Sequence, residues 1–128
     1  MRKQLTTTAI AVACLVLGAG GATLYTHAAT GPAVYDVYEN HVTDEAAYNK
    51  VLPEVQKIIK EDGGEYLAGG FNKTKLMHGK QTVGNRFVII RYPNEAAYMK
   101  AQGDGLKAWI EKNAPEAREV LVEGVEMK

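Results

Sequence analysis

The chain has 128 residues, enough for one domain and hardly two. Its 15 Lys and Arg balance 15 Asp and Glu, so no basic excess points to a nucleic-acid partner. Hydrophobic residues make up 46%, which excludes an intrinsically disordered chain.

Residues 1–28 read as a secretory signal peptide. Arg2 and Lys3 form a short basic start, and no charge appears from Ala9 to Ala22. That run suits a signal core and falls short of the roughly 20 apolar residues that span a bilayer. Thr26-His27-Ala28 then gives a small-x-small exit before Ala29. A cut after Ala22, or an uncleaved N-terminal anchor, are the alternatives; the glycines and threonines between Gly18 and Thr26 weaken the anchor as a helix. The expectation is an exported protein, periplasmic or secreted, whose mature part (residues 29–128) has no membrane span. Cys14, the only cysteine, would leave with the signal. The mature domain would then hold no disulfide, thiol nucleophile or thiolate metal site.

Ala33 to Val42, rich in Val and Tyr, predicts the first strand. Thr43-Asp44 offers a helix cap, and Tyr48, Val51, Leu52, Val55, Ile58 and Ile59 recur at helical spacing, with a kink expected at Pro53. Gly63-Gly64 stops that helix. Glu65 to Ala68 predicts a short strand, closed by a turn at Gly69-Gly70 and a polar connection to Gly84 in which Lys75-Leu76-Met77 could pair briefly. Arg86 to Tyr92 is the clearest strand. Asn94 caps a second helix, which breaks at Gly103-Asp104-Gly105, resumes through Leu106, Trp109 and Ile110, and ends at Asn113-Ala114-Pro115. Arg118 to Val125 is the last strand. Glu45-Ala46-Ala47-Tyr48-Asn49-Lys50 returns as Glu95-Ala96-Ala97-Tyr98-Met99-Lys100, each copy following a strand and opening a helix. Two such halves in a βαββαβ chain describe an α+β, ferredoxin-like fold: a four-stranded antiparallel sheet with two helices on one face.

Alternation along the strands sorts their residues into two faces. Tyr35, Val37, Val88, Ile90, Tyr92, Val120 and Val122 form the more apolar set, expected under the helices. Asp36, Tyr38, Tyr66, Phe87, Ile89, Arg91, Leu121 and Glu123 form the other. Phe87, Ile89, Leu121 and Tyr66 would then face water in a monomer, a patch that a second copy of the sheet would cover.

The residues Tyr48, Ile58-Ile59, Gly63-Gly64-Glu65-Tyr66-Leu67, Gly69-Gly70 and Met77-His78-Gly79 together resemble the DUF1330 family. So do Phe87-Val88-Ile89-Ile90-Arg91-Tyr92-Pro93-Asn94-Glu95-Ala96-Ala97 and the ending Leu121-Val122-Glu123-Gly124. The resemblance implies a homodimer in which two ferredoxin-like sheets pack face to face as a dimeric α+β barrel. It implies no defined reaction. The chain departs from the family pattern at Arg91, where an acid usually precedes the aromatic-Pro pair. It departs again at Gly103-Asp104-Gly105-Leu106-Lys107, where a Tyr-Gln pair usually follows the small-residue break.

No motif calls for a cofactor or a metal. His41 and His78 show neither HxH nor HExxH spacing, and surface or capping roles suit them. The glycine pairs match no phosphate loop. Trp109 reads as core, and the scattered lysines read as solvated surface. The candidate ligand pocket is Asp36, Tyr38, Tyr66, Arg91 and Glu123, expected to share one semi-enclosed space. A carboxylate there would have its pKa raised by desolvation or lowered by Arg91, and either would suit acid/base work or anion binding. The competing reading is a salt bridge within an interface. At this stage the function is the binding or slow conversion of a small organic molecule, against a non-catalytic structural or interaction domain of the cell envelope.

Overall fold

The structure, a computed structural model, describes residues 31–81 and 83–124. The expected signal segment lies outside the described residues. Strand β1 (Val34–Asn40) leads into helix α1 (Glu45–Glu61), then strands β2 (Glu65–Phe71) and β3 (Arg86–Tyr92). Helix α2 (Glu95–Ala101) passes through a π-helical segment (Gln102–Leu106) into α3 (Lys107–Asn113), and β4 (Arg118–Glu123) closes the order. The sheet runs β2-β3-β1-β4 with every pairing antiparallel. This is the ferredoxin-like βαββαβ arrangement read from the sequence.

Both copies of the repeated hexapeptide do the same local work. The Asp44 side chain accepts a hydrogen bond from Ala47 N at 3.0 Å, and Asn94 accepts one from Ala97 N at 2.9 Å. Each satisfies a backbone donor that the first helical turn leaves open, with a glutamate at the positive end of the helix. Pro53 lies inside α1 without ending it. The expected break at Gly103-Asp104-Gly105 is present as a kink in the π-helical segment before the chain resumes as α3, with Gly105 leaving the helical conformation at φ 131°. A side chain there would be strained, and its Cβ would press on Ile58 Cδ1.

Strand β2 runs three residues past the expected end at Ala68, so Gly69-Gly70 lies within the strand and not in a turn. The reason is close approach: a Cβ on Gly69, which pairs with Val88, would fall 1.9 Å from Phe87 O. Lys75-Leu76-Met77 pairs with no strand. Asn85 fastens the end of the long connection to the chain after β1, donating to Val42 O and accepting from Val42 N, both at 2.7 Å.

The core lies between the sheet and the helices, and includes Val34, Val55, Ile59, Val88, Ile90 and Tyr92. Trp109 seals it by donating from Nε1 to Val51 O at 3.1 Å and standing edge-on to Tyr48. Among the described residues, the other face of the sheet is covered by no helix. It carries Tyr35, Val37, Phe87, Ile89, Val120 and Val122, the last two 49% and 47% exposed. Glu39 stands opposite Arg118 there, and Glu65 opposite Arg91.

The strand pairing corrects the expected faces. Asp36 pairs with both Ile90 and Leu121, and Tyr38 with both Val88 and Glu119. Paired residues share a face, so Asp36, Tyr38 and Leu121 lie under the helices with Val88 and Ile90. Tyr66, which pairs with Ile90, joins them. Tyr35, Val37, Val120 and Val122 take the helix-free face with Phe87 and Ile89. The expected faces of β1, β2 and β4 are exchanged, while β3 is as expected, with Val88, Ile90 and Tyr92 under the helices and Phe87, Ile89 and Arg91 opposite. A one-residue slip moves every side chain of a strand to the other face.

Candidate functional site

The helix-side residues of the four strands enclose a cavity of about 20 Å³ beneath α1 and α3, with Asp36, Tyr38, Tyr66, Arg86 and Glu119 in its wall. A volume of that size holds about one water. Three of the five expected pocket residues, Asp36, Tyr38 and Tyr66, meet here. The space is between sheet and helices, and not on the face where a second sheet was expected. Arg91 pairs with Tyr35 on the opposite face and has no access to the cavity. Glu123 has the right parity but stands opposite Val34 at the exposed end of the edge strand, outside the cavity wall.

Asp36 is 1% exposed, in the middle of the sheet. Burial pushes its carboxyl up to about 8, and the nearby Glu119 charge and a hydrogen bond to Glu119 push the same way. Burial also raises Glu119, while the hydrogen bond from Asp36 favours its charged form. The two carboxyls thus share one proton, with Asp36 as donor and Glu119 as acceptor. The pairing is diagonal across two strands, because Glu119 stands opposite Tyr38, two residues from Asp36. Gln102, in the π-helical segment, comes close enough to favour the Glu119 charge, although its amide nitrogen closes no hydrogen bond. Asp36 Oδ1, Glu119 Oε1 and the hydroxyl of the fully buried Tyr92 are likewise without partners. Polar atoms left so in a protein interior are costly.

Along the strands toward Arg86 the wall becomes phenolic. Tyr38 Oη and Tyr48 Oη lie 3.0 Å apart. Burial first, then this contact, raises the Tyr38 phenol. Burial pushes Tyr66 up to about 12, against the opposing pull of Arg86. Both phenols therefore stay protonated as hydrogen-bond donors.

Sequence reasoning missed Glu119, Arg86, Tyr48 and Gln102. Glu119 shares the parity of Leu121 and was open to inference once that residue was placed with Asp36. Arg86 alternates with Val88, Ile90 and Tyr92 on the clearest strand, which is itself a signal for burial. Tyr48 was visible only as part of an apolar stripe. Gln102 had no signal, because its direction depends on the π-turn. His41 and His78 are both exposed and lie apart from this cavity. Among the described residues no group of three or more His, Cys, Asp or Glu is placed to hold a metal ion.

A ferredoxin-like α+β sheet with a buried acid pair beneath its helices defines the class of this domain. The profile of a domain of unknown function, DUF1330, matches residues 33–125. The chain belongs to the DUF1330 family. Among solved structures it is similar to RPA0582, a protein of unknown function from Rhodopseudomonas palustris, with a TM-score of 0.56 at 12% identity over 77% of this chain and 86% of that one. The methylated form of RPA0582 gives a TM-score of 0.55 at 13% identity over 76% and 84%. These likenesses show the fold. No curated protein matches the sequence.

Proposed function

We propose that this protein binds, or slowly converts, a small organic molecule in the cavity between its sheet and its helices, as one half of a dimeric α+β barrel exported to the cell envelope. The observation that carries the reading is the Asp36–Glu119 pair. Two carboxyls sharing a proton in a wall that also holds Tyr38, Tyr48, Tyr66 and Arg86 weaken a purely structural core, where apolar replacements of similar volume are commonly neutral or stabilising. Asp36, pushed up to about 8, holds a transferable proton at neutral pH, and Glu119 accepts one. Tyr38 and Tyr66 supply donors beside it. The barrel half of the reading rests on the apolar helix-free face, and export rests on the signal-like N-terminus.

The volume of about 20 Å³ favours a second reading, a non-catalytic interaction domain whose working surface is the helix-free face. In the ligand-binding reading, α1 and α3 yield to admit a guest larger than water. Native mass spectrometry of the intact protein, taken directly from its source and again after incubation with a source-cell metabolite extract, separates the two. A discrete small-molecule adduct, lost in Asp36→Asn, is expected. A folded protein with no adduct under either condition would leave the interaction-domain reading standing.

A further inference from the structure

Arg86 opens β3 on the helix side of the sheet, opposite Asn40 of β1 and Phe71 of β2. It is only 6% exposed and forms part of the cavity wall. Its guanidinium lies over the Phe71 ring at 4.9 Å and near the Tyr48 ring at 5.7 Å from the centroids. None of the ion pairs among the described residues includes it, and its Nε is buried without a hydrogen-bond partner. The acids of the same cavity do not serve it. Asp36 pairs with Ile90, four residues along β3 from Arg86 and roughly 13 Å away at strand spacing, and it is bonded to Glu119.

A buried cation with no counter-charge is costly, and stacking on ring faces recovers only part of that cost. The stacking also fixes the plane of the guanidinium. Beside it, Tyr38 and Tyr48 have two hydroxyl protons and one hydrogen bond between them, so one proton remains to be given. A planar donor fork with a neighbouring hydroxyl matches a carboxylate.

We propose that Arg86 is an anion receptor, and that the ligand of the cavity is a small organic acid whose carboxylate sits on the Arg86 fork with the rest of the molecule directed toward Asp36 and Glu119. This rests on the ligand-binding reading above and deepens it. The cavity is bipolar, and the Arg86 end sets which charge the ligand presents.

The test uses the intact protein with ¹⁵N-labelled arginine, titrated with acetate, propionate and benzoate at constant ionic strength against chloride, with sulfate as a tetrahedral oxyanion. A saturable shift of the Arg86 Nε–H signal with at least one carboxylate is expected, with a rise in melting temperature that chloride does not give. The melting response should vanish in Arg86→Met and weaken in Arg86→Lys, which keeps a charge but not the fork. Should Arg86→Met fail to fold, the wild-type titration and Arg86→Lys decide. No response beyond chloride, an equal melting response in Arg86→Met, or a response to sulfate alone would each overturn the assignment. If the carboxylates fail while native mass spectrometry finds a neutral adduct, the ligand-binding reading survives and the acid does not. If both are silent, both fall.

Discussion

Asp36 illustrates at the residue scale why hydropathy misplaces a functional side chain. In β1, Val and Tyr occur in both phases, as Val34 and Tyr38 in one and Tyr35 and Val37 in the other. Each phase also carries one carboxylate, Asp36 in the first and Glu39 in the second, so hydropathy within β1 gives no choice between the faces. Burial is tolerated because Glu119 shares its proton, a partnership between residues 83 positions apart that no local pattern displays. Linkage gives a pH prediction. The folded-state pKa of Asp36 is raised from 3.8 to about 8, so its favourable contribution is complete below pH 4 and is lost as pH rises through 8. Chemical denaturation of wild type and Asp36→Asn across pH 4–9 isolates that contribution. The stability difference should move in favour of the variant by up to about 1.4 kcal/mol per pH unit over this window. A difference independent of pH would refute the buried, proton-holding carboxyl.

Among the elements, the helices were the most legible and the strand faces the least. The repeated hexapeptide placed both helix starts correctly, because capping is local chemistry: a short polar side chain, a glutamate just inside and two alanines that favour the helix. Asp44→Ala and Asn94→Ala should each cost about 1 kcal/mol in denaturant melts. Asn94 should cost the more, being 5% exposed, since its loss leaves Ala97 N unpaired away from water. Equal and negligible effects would show that packing alone fixes the helix starts. The glycine break in the second helix was also legible, but its form was not. Whether two glycines end a helix or kink it and let it resume depends on what the next residues must reach. Here Leu106 is buried just past the Gly105 kink, and Lys100 Nζ bridges Asp62 Oδ1 at the end of α1 and Asp104 Oδ2, at 2.5 and 2.6 Å. Those contacts are tertiary and leave no periodic trace.

For the molecule as a whole, element order was enough to give the βαββαβ arrangement, because antiparallel pairing and short connections leave few alternatives. Which face met the helices was a single binary choice made strand by strand, and of the four only β3 was set the right way. The corrected helix-free face gains the argument for self-association: Tyr35, Val37, Phe87, Ile89, Val120 and Val122 are all on one side. A second sheet laid on it would bury an apolar centre, with Glu39, Arg118, Glu65 and Arg91 around it. We expect a homodimer at micromolar concentration by light scattering. Ile89→Asp should convert it to a monomer by placing a charge in a desolvated interface, at a cost of several kcal/mol. A wild-type monomer would remove the barrel from the proposal and leave the cavity untouched, since the cavity lies on the other side of the sheet.

Gly124 N donates to Ala33 O at 2.7 Å, so the chain enters and leaves the described domain at one point. That point is beside Val34, Tyr92 and Glu123. Asn40, Arg86 and Phe71 close the opposite end of the same ladders, about six strand residues or roughly 20 Å away. The described domain therefore has one pole at which both of its ends meet and another opposite it. The Arg86 end of the cavity and the start of the long connection after Phe71 lie at the second, far from Ala33 and Gly124.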